Sequence, residues 1–166
     1  MIRRNKYPVE ISIGYIVMTP DHLFSASNSL ALAGWVLLTV GPRRVAWLRA
    51  IPLWVIPGAL SALYAALVLS RFSSADGGFD SLDGVASLFS DRWVLLAGWV
   101  HYLAFDLFVG AVMATRMDRA GLGRLVQAPI LITTFLLGPL GFLIAALTEL
   151  GLRASALPRP SAAKGT

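Results

Sequence analysis

The chain has 166 residues, 57% of them hydrophobic and only 14% charged, with a mean hydropathy of +0.71, whereas a soluble domain carries about a quarter charged residues. The absence of cysteine excludes disulfides, iron–sulfur ligation and thiolate chemistry, and only His22 and His101 remain for any metal or haem site; no bis-histidine haem pair, metal or other cofactor is expected. The net charge of +5 does not point to nucleic acid, because the Lys and Arg residues sit in small groups between apolar runs, where lipid headgroups are met.

Taken in chain order, residues 1–21 form an N-terminal lead, too short to span and without a small-residue cleavage site. It reads as disordered or as a misassigned start, with Met18 the alternative to Met1. Four stretches are then long enough to cross about 30 Å of hydrocarbon as helices. They are predicted at about 22–41, 50–70, 92–116 and 126–150. Pro52 lies near the start of the second, and Pro57-Gly58 inside it predicts a bend. Between the second and third, "SLDGVASLF" (81–89) spaces Leu82, Val85 and Phe89 helically and is expected in the membrane interface. The tail, 151–166, rich in Pro, Ser and Ala beyond residue 157, is expected to be disordered. The fold class is therefore all-α, an integral membrane four-helix bundle with its helices antiparallel.

Basic residues set the orientation. Arg43, Arg44 and Arg49 occupy the first connection and Arg116, Arg119 and Arg124 the third, while the second carries Asp76, Asp80, Asp83 and Asp91 against Arg71 and Arg92. Connections one and three are expected in the cytoplasm and both termini outside. Arg3, Arg4 and Lys6 at the N-terminus and Arg153, Arg159 and Lys164 in the tail oppose that assignment; the first group vanishes if Met18 is the true start.

The third span, "LLAGWVHYLAFDLFVG" (95–110), carries the candidate chemistry. An aspartate near the bilayer midplane costs about 2.5–3.5 kcal/mol on insertion scales, so Asp106 must face protein or trapped water. At helical spacing Trp99, Tyr102, Asp106 and Met113 share one stripe and His101, Phe105 and Phe108 another; His101 and Asp106 diverge by about 140°. In the fourth span Gln127, Thr134, Gly138, Gly141, Ala145 and Thr148 form a face of small and polar residues, which is expected to turn inward against the third span. Pro139 removes one backbone donor and leaves carbonyls near Phe135 needing another partner, so a kink at the depth of Asp106 is expected. Asn28 and Trp35 in the first span, and Ser61 and Tyr64 in the second, give weaker stripes. The candidate catalytic residues are Asp106 and His101, and the candidate ligand-binding residues are Trp99, Tyr102, Phe105, Phe108, Asn28, Trp35 and Thr134. Each also has a structural reading: Asp106 bonded to Tyr64, Thr134 or a freed carbonyl, and the aromatic residues as helix packing.

"LFSASNSLALAGWVLL" (23–38), "ADGGFDSLDGVASLFS" (75–90), "LLAGWVHYLAFDLFVGA" (95–111) and "TFLLGPLGFL" (134–143) together resemble the abscisic-acid-deficient-four-like family, small membrane proteins related to plant neoxanthin synthase. The resemblance runs over about Leu23 to Leu147. It implies a four-helix membrane protein and, for the plant branch, conversion of the epoxycarotenoid violaxanthin into the allenic neoxanthin. Three readings follow: a cofactor-free carotenoid isomerase using Asp106 and His101 as acid and base; a non-catalytic carotenoid- or isoprenoid-binding subunit of a larger membrane complex or homo-oligomer; and a small transporter or proton path, ranked last because the inverted repeats and broken-helix pairs of many transporters are missing. Membrane lipids and a carotenoid are the expected partners, and the composition points to a bacterial cytoplasmic membrane.

Overall fold

The structure, a computed structural model, describes residues 18–71 and 75–156. The expectations for residues 1–17 and 157–166 lie outside the described residues. All regular structure in the described residues is helical, with four helical segments long and apolar enough to cross a bilayer.

The first helix, α1, runs Pro20–Val40. Thr19 caps it, its side chain accepting from the His22 N–H; Pro20 needs no donor in the first turn, and Asp21 sits at the positive end of the helix dipole. The second segment starts earlier than hydropathy alone predicts. It comprises α2 (Ala46–Ala50), a π-helical turn (Ile51–Val55) and α3 (Ile56–Arg71). Pro52 thus lies inside the segment, and the chain accommodates it by widening: the Ile56 N–H reaches the Ile51 carbonyl, five residues back. The irregularity sits one turn before the bend expected at Pro57-Gly58.

The short α4 (Leu82–Leu88) is capped by the Ser81 hydroxyl, which accepts from the Gly84 N–H at 3.0 Å. Its inner side is Leu88, which is buried, with Phe89 beyond it; Leu82 is 85% exposed. The Phe89 ring lies against Gly98, where any Cβ would come within 2.7 Å of it. Asp91 then caps α5 (Arg92–Arg119), accepting from the N–H groups of Trp93 and Val94 at 2.7 and 3.2 Å.

Helix α5 is the centre of the molecule, with α1, α3 and the last helix, α6 (Arg124–Ala156), packed around it. Its Val100, Leu103, Leu107 and Ala111 join Trp35 and Leu38 of α1, Leu60 and Leu67 of α3, and Ile130 and Leu131 of α6 in one core. Trp35 fits because residue 110 is glycine: a Cβ there would overlap its ring. Helices α1 and α5 run parallel, as the pairs Asp21–Arg92 and Asn28–Trp99 show.

The last apolar segment departs from the antiparallel bundle. Leu137 has φ −140° and ψ 42°, outside the helical region, so two helical limbs meet there. Gly141 lies so close to Thr134 that a Cβ on it would overlap the Thr134 backbone. Two turns of a straight helix would hold these residues about 10 Å apart. Beyond the bend the chain descends along α5. Phe142 lines a cavity with Met113, Ala145 one with Met117 and Leu122, and Glu149 pairs with Arg116 at 2.8 Å. Helix α6 therefore doubles back, and its end lies beside its beginning. The kink expected at Pro139 is a reversal, because Pro139 withholds a donor while Gly138 and Gly141 let the two limbs touch.

Within the described residues the two ends of the helical region lie apart, where both termini were expected on one side: Pro20 lies with Arg92, whereas Leu152 lies with Ala120 and Leu122 at the opposite end. The helix also continues to Ala156, past the expected limit of 150. Leu152, Ala154 and Ala156 favour helix, and the next breaker in the sequence is Pro158.

At that second end Arg43 ties the connections together. Its guanidinium, with its side chain only 8% exposed, donates to the Leu38 and Ala114 carbonyls, to Asp118 at 3.0 Å and to Gln127. Gln127 in turn donates to Asp118 and to the Leu122 carbonyl. Arg124 closes the ends of α1, donating to the Thr39 and Gly41 carbonyls at 2.9 and 2.8 Å. Burial pulls Arg43 below the ordinary guanidinium range and the Asp118 carboxylate opposes that shift. A guanidinium nonetheless stays cationic at physiological pH.

Candidate functional site

Arg92, Leu95, Trp99, Tyr102 and Asp106 recur at intervals of three and four and so form one stripe of α5. Asp106 stands halfway along the helix, and its carboxylate rests on the bend of α6. A Cβ on Gly138 would come within 2.5 Å of Oδ1 and 2.6 Å of Oδ2. Only glycine leaves room for the carboxylate there. Among the described residues, two buried side-chain oxygens have no hydrogen-bond partner, and Asp106 Oδ2 is one of them; Ser27 Oγ is the other. An unpaired buried carboxylate oxygen is costly, and such groups concentrate where a ligand or reaction supplies the missing partner.

Tyr102, one turn before Asp106, donates its hydroxyl to the Phe135 carbonyl at 3.4 Å. That carbonyl lies four residues before Pro139 and is the one deprived of its helical donor. Tyr102 thus satisfies the backbone at the bend while standing beside the Asp106 carboxylate. Thr134 is fully buried, but its hydroxyl is used within the helix, donating to the Ile130 carbonyl at 2.8 Å.

From Tyr102 a row of aromatic side chains leads towards the Arg92 end. The Tyr102 and Trp99 rings are 5.4 Å apart, and the Trp99 and Phe24 rings 5.7 Å. The Trp99 indole N–H donates to Asn28 Oδ1 at 2.9 Å, which fixes the ring between α1 and α5. Beyond Trp99 opens a cavity of about 290 Å³ lined by Pro20, Asp21, Phe24, Arg92, Leu95, Leu96 and Trp99. At its rim Arg92 and Asp21 pair at 2.6 Å.

The structure thus brings Asp106, Tyr102, Trp99 and Asn28 to one seam, with Trp35 in the core behind them, edge-on to Phe135 at 5.6 Å. It places the others elsewhere. His101 is exposed, its ring stacked on Phe105 at 4.7 Å and tilted against Tyr64 at 5.2 Å. Phe108 packs on Trp54, 5.6 Å away. His101 and Asp106 therefore lie in different seams, as their spacing on the helix predicts, and Tyr64, a suggested partner of Asp106, belongs with His101. The divergence of about 140° around α5 is the cause. The sequence reading missed Phe24, the Phe135 ring and the Arg92–Asp21 pair. The three-and-four spacing extending from Asp106 back to Arg92 was the signal for Arg92; nothing local reveals which α1 residues face it.

The described residues thus define an all-helical protein with four helical segments long and apolar enough to cross a membrane, and with an acidic group held at a helix break halfway along its central helix. More particularly, residues 22–144 match the ABA DEFICIENT 4-like family, and the chain belongs to that family. No curated protein and no solved structure matches the chain.

Proposed function

We propose that the protein is inserted in the bacterial cytoplasmic membrane, with Arg43, Arg116 and Arg124 on the cytoplasmic side, and acts there as a cofactor-free carotenoid isomerase centred on Asp106. The exposed faces of its helices support insertion: Val36, Trp54, Leu69, Leu95, Phe105, Leu136, Leu140, Leu143 and Leu147 all present large apolar side chains outward. The observation that carries the catalytic reading is the unpartnered Asp106 Oδ2 at the foot of the aromatic row.

Opening an epoxide to an allene breaks one C–O bond and converts a C–H electron pair into a new double bond. One proton is delivered to the departing oxygen and one is taken from carbon, so the molecular formula is unchanged and no electron acceptor is required. Asp106 suits the proton-accepting role and the Tyr102 hydroxyl the donating one, since both stand at the same point of the seam. The aromatic row offers a conjugated chain an apolar, polarisable wall.

The test is conversion of an epoxycarotenoid by the purified protein reconstituted in vesicles. Asp106→Asn keeps the size of the side chain and removes its proton chemistry. It is expected to lower the rate by about 10² to 10⁴ while pigment stays bound. Unchanged conversion overturns the assignment. Bound pigment with no conversion by either protein selects the non-catalytic, pigment-holding reading.

A further inference from the structure

We infer that the seam is a one-ended crevice, and that its ligand is a rod-like amphiphile which enters end-on from the leaflet on the Arg92 side, with a neutral hydroxyl-type head at Arg92–Asp21. The inference rests on the functional reading above and specifies how its substrate is held.

The reversal of α6 is what makes the crevice one-ended. At Asp106 the seam is closed, because Gly138 lies against the carboxylate; past that contact Met113, Arg116, Phe142 and Glu149 line a separate cavity of about 300 Å³ at the opposite end of the stripe. Above Asp106 α6 reaches only as far as Tyr102, which meets the Phe135 carbonyl, and from there to Arg92 the same stripe is flanked by α1 through Phe24 and Asn28. There Leu95 is 53% exposed and Trp99 40%. The bend of α6 is thus a floor, the aromatic row a wall, and the Arg92 end an opening.

The depth sets the shape of the occupant. Arg92 and Asp106 are separated along α5 by about 21 Å at 1.5 Å per residue. That is the depth of about one leaflet with its interface. A ligand touching both ends must be extended, apolar along its shaft and polar at its head. The head is specified by the rim: the Arg92–Asp21 pair offers a guanidinium donor and a carboxylate acceptor together, so a group that both donates and accepts, such as a hydroxyl, is matched, whereas a simple anion would face Asp21.

Parinaryl alcohol, a fluorescent linear polyene with a hydroxyl head, is the probe, and its methyl ether is the control lacking the donor. Binding to the reconstituted protein is read by energy transfer from tryptophan. Leu95→Trp fills the cavity at an exposed position and is expected to weaken binding of the alcohol about tenfold. Leu143→Trp, on the exposed outer side of α6, leaves it unchanged. The native protein prefers the alcohol to the ether, and Arg92→Gln reduces that preference about three- to tenfold. Circular dichroism and elution volume establish that each variant is folded. If Leu95→Trp binds as the native protein does, or if the alcohol has no advantage over the ether, end-on entry is overturned while conversion at Asp106 is untouched. If the native protein binds neither probe but still converts an epoxycarotenoid, the crevice model alone falls. If it neither binds nor converts, both readings fall.

Discussion

A single hydrogen atom, the absent side chain of Gly138, decides whether Asp106 can occupy its place. Because a Cβ at residue 138 would overlap three atoms of the carboxylate, Gly138→Ala is expected to destabilise the protein by about 1–3 kcal/mol, as overpacking generally does. The cost should largely vanish in the Asp106→Ala background, since the clash has one partner; a thermal unfolding cycle in detergent measures the coupling, and additive effects would refute the contact. Arg43 makes a second residue-scale case. Its role was legible only as a positive charge marking a connection, whereas its five hydrogen bonds join α1, α5 and α6. Arg43→Met should cost about 2–3 kcal/mol, the range for bonds to a charged group. Arg44→Met, next door and exposed, should stay within about 0.5 kcal/mol.

At the scale of elements, α6 shows what periodicity carries and what it omits. Of the inward face read from Gln127, Thr134, Gly138, Gly141, Ala145 and Thr148, the first five are buried and Thr148 is half-buried. The reversal was not. Mean hydropathy is a scalar that is equally high in a straight span and in a folded-back pair, and the contacts that decide the direction, Glu149 with Arg116 and Gly141 with Thr134, lie outside any local window. Spin labels on Ala120→Cys and Leu152→Cys, which line one cavity, should therefore report a short separation. A straight α6 would carry residue 152 about 42 Å along the axis from residue 124. Pro139→Ala restores a donor and should broaden the distribution towards longer distances; a long single distance in the native protein would exclude the hairpin. The same reasoning explains α2 and α3, where prolines signalled a bend but a π turn absorbed it.

At the scale of the molecule, doubling back bears on the C-terminal half of a conflict in the charge pattern and leaves Arg3, Arg4 and Lys6 as they were. The tail residues Arg153, Arg159 and Lys164 contradicted the orientation drawn from the first and third connections only so long as α6 was counted as a crossing. With its end beside Arg116, the chain leaves on the side that holds Arg43 and Arg124. The absence of native cysteine makes single introduced thiols unambiguous reporters. Leu152→Cys should react with an impermeant maleimide from the same side as Ala120→Cys, and Ser81→Cys from the other; labelling of residue 152 together with residue 81 would show four crossings.

The hairpin also bears on how the protein is made. A helix whose two ends share one side can enter the bilayer as a loop, apex first, without carrying the basic stretch beyond it through the membrane. In the orientation proposed above, the hydrophilic connection between helices to be translocated is the one bearing Asp76, Asp80, Asp83 and Asp91, and acidic residues contribute little to retention in the cytoplasm. Because the apex docks on Asp106, already in place on α5, insertion of α6 would come last and would bury a carboxylate that until then remained open to water at the surface of a half-built bundle.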